Sequence, residues 1–381
     1  MNKIIIPIIL IIILGVIGTL YAKVWDPLWS PFRTEPLKVI EEMQNKMLSL
    51  KTLHSETDFS IDIKNEKEFS LTETILTDQD NRDLKNPKSV SDLSLTITTN
   101  GMSLNFEGLY KTIGKTFYLK LTKIPALSFI EPQLEMFGIN ISEFKDQWIK
   151  LDQESFINWL KAYVEKMAGQ ELISQFEESI SKQEELMDKL KEIFEGKKLY
   201  SLKKELPDEI IDGKKVYHYL TILNREEIKK MLSDLILMID GYIPRAQKIE
   251  EPEKKIKEFE ESFDEFFDKL GDIEIELLID KKDLLLYQLK IEKEIDLSKF
   301  KEGEEGKVNI KFNMKFSEFN KSVEIKAPEI SKPIEEILEN IILKLFEYQR
   351  QQQMRQYQRA WEYQQQQQQQ LMEEYRKMQE K

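Results

Sequence analysis

"KVNIKFNMKF", residues 307–316, decides the fold class of this chain. Val308, Ile310, Phe312, Met314 and Phe316 alternate with Asn309, Lys311, Asn313 and Lys315. A period of two sends successive side chains to opposite faces of a strand. One face is therefore wet and the other needs a cover, the pattern of an antiparallel sheet. The alternation recurs upstream at Phe59, Ile61 and Ile63, with His54 on the wet side. It returns in "LSLTITTN" (93–100), "LNFEGLYKTI" (104–113) and "KTFYLKLTKI" (115–124), punctuated by Asn100-Gly101 and Gly114 as turns. Short strands are also expected at "QWIKLD" (147–152) and "VEIKAP" (323–328), and a polar loop at 78–91.

Helical spacing separates these runs. Val39, Ile40, Met43 and Met47 form one stripe; residues 154–167 and 171–194 carry others, bounded by Gly169 and Gly196. In "EKKIKEFEESFDEFFDKL" (253–270) Ile256, Phe259, Phe263, Phe266, Phe267 and Leu270 share a face, and the opposite face is acidic. Strands with helical inserts to cover them make an α+β domain.

"KKVYHYLTIL" (214–223) contains one of the two histidines. Val216, His218 and Leu220 share one strand face; Tyr217, Tyr219 and Thr221 share the other. Asn224 then suits a helix N-cap, with Glu227 three residues on. With no serine, cysteine or second histidine nearby, His218 reads as a structural strand residue rather than a reactive one.

Composition excludes several functions. The formal charge is −13, which disfavours nucleic-acid partners. There is no cysteine, so disulfides, thiolate metal sites, cysteine nucleophiles and a lipid-modified cysteine are all excluded. No phosphate loop, paired-histidine zinc motif or serine elbow occurs, so the chain reads as a non-enzyme without metal or cofactor. Asn140-Ile141-Ser142 matches a glycosylation triplet, a motif short enough to arise by chance.

Residues Ile4 to Ala22 are uncharged and long enough to span a hydrocarbon core. Trp25, Trp29 and Phe32 follow in a linker at 23–35 and suit a membrane interface. Leu20 makes cleavage after Ala22 unfavourable, so a single-pass anchor is expected rather than a removed signal. Either way the domain at 36–330 is expected outside the cytoplasm.

From 331 to 381 the pattern is helical and glutamine-rich. Such low complexity reads first as a disordered tail. Yet Met354, Tyr357, Trp361, Leu371, Tyr375 and Met378 keep one three-and-four register, with Gln364 and Gln368 in the gap. That register predicts a long helix from about Pro333 that self-associates weakly.

The blocks "IELLIDKKDLLLYQLKIE" (275–292), "FNMKFSEFNKSVEIKAP" (312–328) and "GKKVYHYLTILNREEIKKML" (213–232) resemble the late and middle segments of LolA/LolB-like and LppX/LprG-like carrier domains. The resemblance implies a curved antiparallel half-barrel sheet covered by helices, with lipid or acyl chains held between. With the expected anchor, which departs from the family pattern, this gives a membrane-anchored binding protein for lipid or another apolar ligand; the alternative is a non-enzymatic envelope scaffold with a filled core and a self-associating C-terminal helix. The pattern places Phe106, Phe117, Leu119, Leu289, Ile291, Ile310, Phe312 and Met314 on the sheet side of the expected cavity. Phe259, Phe263 and Phe266 are expected on a covering helix.

Overall fold

A computed structural model describes residues 33–64, 68–125, 140–168, 197–242, 251–300 and 305–379, with 28, 189, 192 and 193 alone. Helix α1 (Pro36–Leu48) precedes strands β1 (Thr52–Lys64), β2 (Phe69–Asp80), β3 (Lys88–Thr99), β4 (Met102–Ile113), β5 (Thr116–Lys123) and β6 (Trp148–Asp152). Then come α2 (Gln153–Ala168), the hairpin β7 (Tyr200–Ile211) and β8 (Lys214–Leu223), α3 (Arg225–Tyr242) and α4 (Pro252–Leu270). Strands β9 (Glu274–Asp280), β10 (Leu286–Asp296), β11 (Lys307–Ser317) and β12 (Lys332–Pro333) lead into α5 (Ile334–Gln379). The turns follow the sequence. Asn100-Gly101 and Asp212-Gly213 have positive φ at both positions, as a two-residue hairpin loop requires. The Asn224 side chain accepts the Glu227 amide at 3.3 Å, capping α3.

The strands form one open, curved, twelve-stranded sheet, ordered β12-β6-β5-β4-β3-β2-β1-β11-β10-β9-β8-β7. It is mixed rather than wholly antiparallel, because β12 runs parallel to β6. The expected strand "VEIKAP" is absent: residues 318–331 join no ladder. They form a strap that leaves β11 beside β1 and reaches β12 beside β6 at the far edge. Side chains of the sheet hold it by its carbonyls. Thr52 Oγ1 donates to Lys321 O at 2.6 Å, Arg82 to Val323 O at 3.1 Å and Lys111 to Lys326 O at 3.2 Å. Three of its carbonyls are met this way by side chains instead of by a neighbouring strand. The loop expected at 78–91 is shorter, since β2 runs to Asp80 and β3 starts at Lys88.

The fully buried core lies at one end of the sheet. Val39, Ile40 and Met43 of α1 pack onto Tyr217 and Tyr219 of β8 and Ile275, Leu277 and Ile279 of β9. Val216 and Leu278 are buried on the opposite face, so β8 and β9 are covered on both sides. The two tyrosine rings stack at 5.7 Å. Arg33 lies 4.9 Å over the Tyr217 ring and is ion-paired to Glu205 at 2.7 Å and Asp208 at 2.6 Å. The chain entering α1 is thereby fastened to β7.

Among the described residues no helix is long and apolar enough to cross a membrane; the segment Ile4–Ala22 lies outside them. So do 171–188, most of the second expected helical insert. The tail is a helix, not a disordered segment. It begins at Ile334, directly after Pro333, and runs 46 residues. Glutamine is a good helix former, so low complexity here does not mean low helicity. Ile337 is buried, and Trp159 of α2 donates its indole N–H to Glu339 at 2.9 Å, tying the start of α5 to the domain.

Asp80 links β2 to the strap. Arg82 donates to it at 2.6 and 2.8 Å and holds its carboxyl down at about 2. This folded-state pKa is below the unperturbed value of about 3.9, so the carboxylate stabilises the fold above about pH 4 and loses that effect as pH falls towards 2. Asp80→Asn is expected to lower the urea midpoint at pH 7, and the gap to wild type should close on acidification. A gap independent of pH would show that the charge is not what holds the strap.

Candidate functional site

Residues opposite each other in neighbouring strands point to the same side of a sheet. The register therefore defines a face row by row. Phe106 pairs with Leu95, Leu95 with Glu73, Glu73 with Phe59, Phe59 with Phe312 and Phe312 with Ile291. The next row is Leu121, Gly108, Leu93, Ile75, Thr57, Met314 and Leu289, continuing to Leu277 and Tyr219 in the core. A third holds Leu104, Ile97, Leu71, Ile61 and Ile310. Phe117 and Leu119, opposite Thr112 and Tyr110, extend the same face onto β5. At roughly 4.8 Å per strand the face measures about 29 Å from β5 to β10.

All eight sheet residues singled out from sequence share this face, but they are not one contact cluster. Leu289, Ile291, Ile310, Phe312 and Met314 sit together on β10 and β11; Phe106, Phe117 and Leu119 sit on β4 and β5. Their burial separates them from the core beside β8. Seven of the eight are half-buried and Leu119 is 38% exposed, whereas Tyr217, Leu278 and Ile279 are fully buried. Among the described residues the face thus runs across the sheet with Glu73 as a polar interruption, and it is fully closed at the α1 end.

The helical partners are less uniform. Phe263 is buried and packs on Phe267 at 4.4 Å and on Phe259 at 5.9 Å. Phe266 is 47% exposed and meets Phe300, in the turn after β10, at 5.5 Å. The six-residue apolar stripe of α4 is wider than the surface that covers it. Helix α4 is bound to α3 by polar contacts: Arg225 and Lys229 pair with Asp264 at 2.9 and 3.0 Å, and Ser233 donates to Glu260 at 3.0 Å.

No protein-family model matches the chain, and no curated protein matches it. The fold is similar to two solved mycobacterial structures. One is LprF from Mycobacterium bovis, at 13% identity over 76% of this chain and 95% of that one, with a TM-score of 0.30. The other is the Mycobacterium tuberculosis lipoprotein LppX, at 11% identity over 77% of this chain and all of that one, with a TM-score of 0.29.

The histidines occupy the opposite, charged face. His218 lies between Glu209 at 2.9 Å and Glu276 at 3.2 Å, and His54 meets Asp78 at 2.8 Å. No group of acidic or histidine side chains among the described residues could hold a metal ion. Asn140 is engaged locally, its side chain accepting from the Ser142 amide at 3.0 Å.

One residue of the apolar face escaped the sequence reading. Glu73 occupies the middle of the first row, between Phe59 and Leu95 across the ladder and Leu71 and Ile75 along its strand. The signal was present in "LTETI" (71–75), where a carboxylate stands at an apolar-phase position. It reads as wet until the register shows the face.

The difference in burial makes a stability prediction. Ile279→Ala should cost about 3 kcal/mol, as expected for a filled core. Phe312→Ala in ligand-free protein should cost only about 1 kcal/mol, because the ring is already partly in water. Urea unfolding of the two variants checks this, and equal large losses would mean that the face is an ordinary filled core.

Proposed function

We propose that this chain is a non-enzymatic, membrane-anchored binding protein for a lipid or another apolar ligand, with its domain outside the cytoplasm. The ligand lies along the apolar face between β5 and β10. One observation supports this above the others: a largely apolar face about 29 Å wide, interrupted by Glu73, whose residues stay half-buried while the α1 end is closed. A face of this size needs a cover, and an acyl chain supplies one. Each methylene removed from water contributes about 0.8 kcal/mol, enough for a partly enclosed chain to bind after association costs.

Titration of the protein, held in amphipol, with a fluorescent fatty acid or phospholipid is the direct test. Saturable binding is expected, and Met314→Trp should weaken it at least about tenfold, with a stability change of about 1–3 kcal/mol. Absence of saturable binding across several lipid classes favours the scaffold reading.

The tail supports a second element of function, weak self-association. From Gln353 to Gln370 the helix is exposed: Met354 at 57%, Tyr357 at 73% and Trp361 at 61%. Met354, Tyr357, Gln358, Ala360, Trp361 and Gln364 line a shallow open hollow along it. These comprise two overlapping sets spaced i, i+3, i+4 and i+7, the shape that accepts a side chain from a facing helix. The buried Ile337 and the half-buried Ile341 and Leu345 lie roughly on the other side at 100° per residue. Sedimentation velocity should show a dimer that residues 348–381 are needed to form. A full chain that stays monomeric at high concentration contradicts this.

A further inference from the structure

The two faces of the sheet differ sharply in charge. On β1 to β5 and β11 the charged face carries Glu56, Asp58, Asp62, Asp92, Lys111 and Lys311 among others. The register of the same strands puts one charged residue on the apolar face, Glu73. It is half-buried, and among the described residues no hydrogen bond or ion pair is made to it. Outside these strands the face carries further charges, among them Glu205 of β7, held by Arg33 at 2.7 Å, and Lys293 of β10, which donates to Asp272 O at 2.7 Å.

From this placement we infer that Glu73 is the polar recognition point of the apolar site, selecting ligands that bring a hydrogen-bond donor, a hydroxyl or an ammonium, into the middle of the face. The inference rests on the lipid-binding reading. Without ligand the carboxylate keeps its water. A hydrocarbon laid across the row strips that water, and burying a carboxylate without a partner is costly. A donor on the ligand replaces the lost hydrogen bonds with a charge-assisted one. An anionic head placed there is repelled.

Competition tests this with matched single-chain probes. Dodecylamine, dodecanol and dodecanoate are each used to displace one fluorescent apolar probe from the full chain in amphipol. The amine and the alcohol should compete at least about tenfold better than the carboxylate. Glu73→Leu should remove that difference, mainly by strengthening dodecanoate. Glu73→Gln should keep the alcohol and lose the advantage of the amine. Circular dichroism on both variants confirms an intact sheet, and Gln preserves the size of the side chain should Leu disturb it. Equal competition by all three in wild type overturns the role of Glu73 and leaves lipid binding standing. Probe binding that none of the three displaces also overturns it. Failure of the fluorescent probe itself to bind overturns the lipid-binding reading instead.

Discussion

From β4 through β3, β2, β1 and β11 to β10 the ladder runs without a register shift. Everything proposed for this molecule depends on that. A slip of one residue in any of these pairings would turn the apolar set of one strand to the charged side. Opposite charges and amides on the other face reinforce the alignment. Thr74 donates to Asp58 at 3.0 Å, and Gln288 donates to Asn313 at 2.6 Å. The irregularities sit elsewhere, at β4–β5, β9–β10 and twice in β7–β8. Bulges at these places bend the sheet near its ends and leave its middle regular.

The same sheet is covered unequally along its length. At β8 and β9 burial on both faces and the Arg33 clamp make a conventional core. Between β5 and β10 most of the apolar residues stay half-buried. Stability is therefore expected to come mainly from the first region, where side chains leave water completely.

Much of this was legible because alternation and turn chemistry act locally. Val308 to Phe316, Asn100-Gly101, Asp212-Gly213 and the Asn224 cap are all decided by neighbours in sequence. Alternation says which face a residue takes but not which strand lies beside it, so the insertion of β11 between β1 and β10 could not be read. Nor could the strap, since Val323 and Ile325 alternate like a strand but the carbonyls of Lys321, Val323 and Lys326 are met by Thr52, Arg82 and Lys111. Glu73 was hidden for a related reason: its surroundings are made by β1 and β3, not by its own stretch. Helical spacing alone also does not rank Phe266, 47% exposed, below Phe263, which is buried.

The sheet order also governs how the chain reaches its native state. Strand β1 finds one of its two neighbours in β11, after more than 240 intervening residues. Until β11 arrives, β6 to β1 and β7 to β10 are two separate sheets, each ending in a bare edge. Such edges pair with other chains, and closing so long a loop before any contact rewards it slows folding. Mutations that weaken the β1–β11 or β10–β11 seam should therefore lower the yield of soluble protein by more than their effect on equilibrium stability explains.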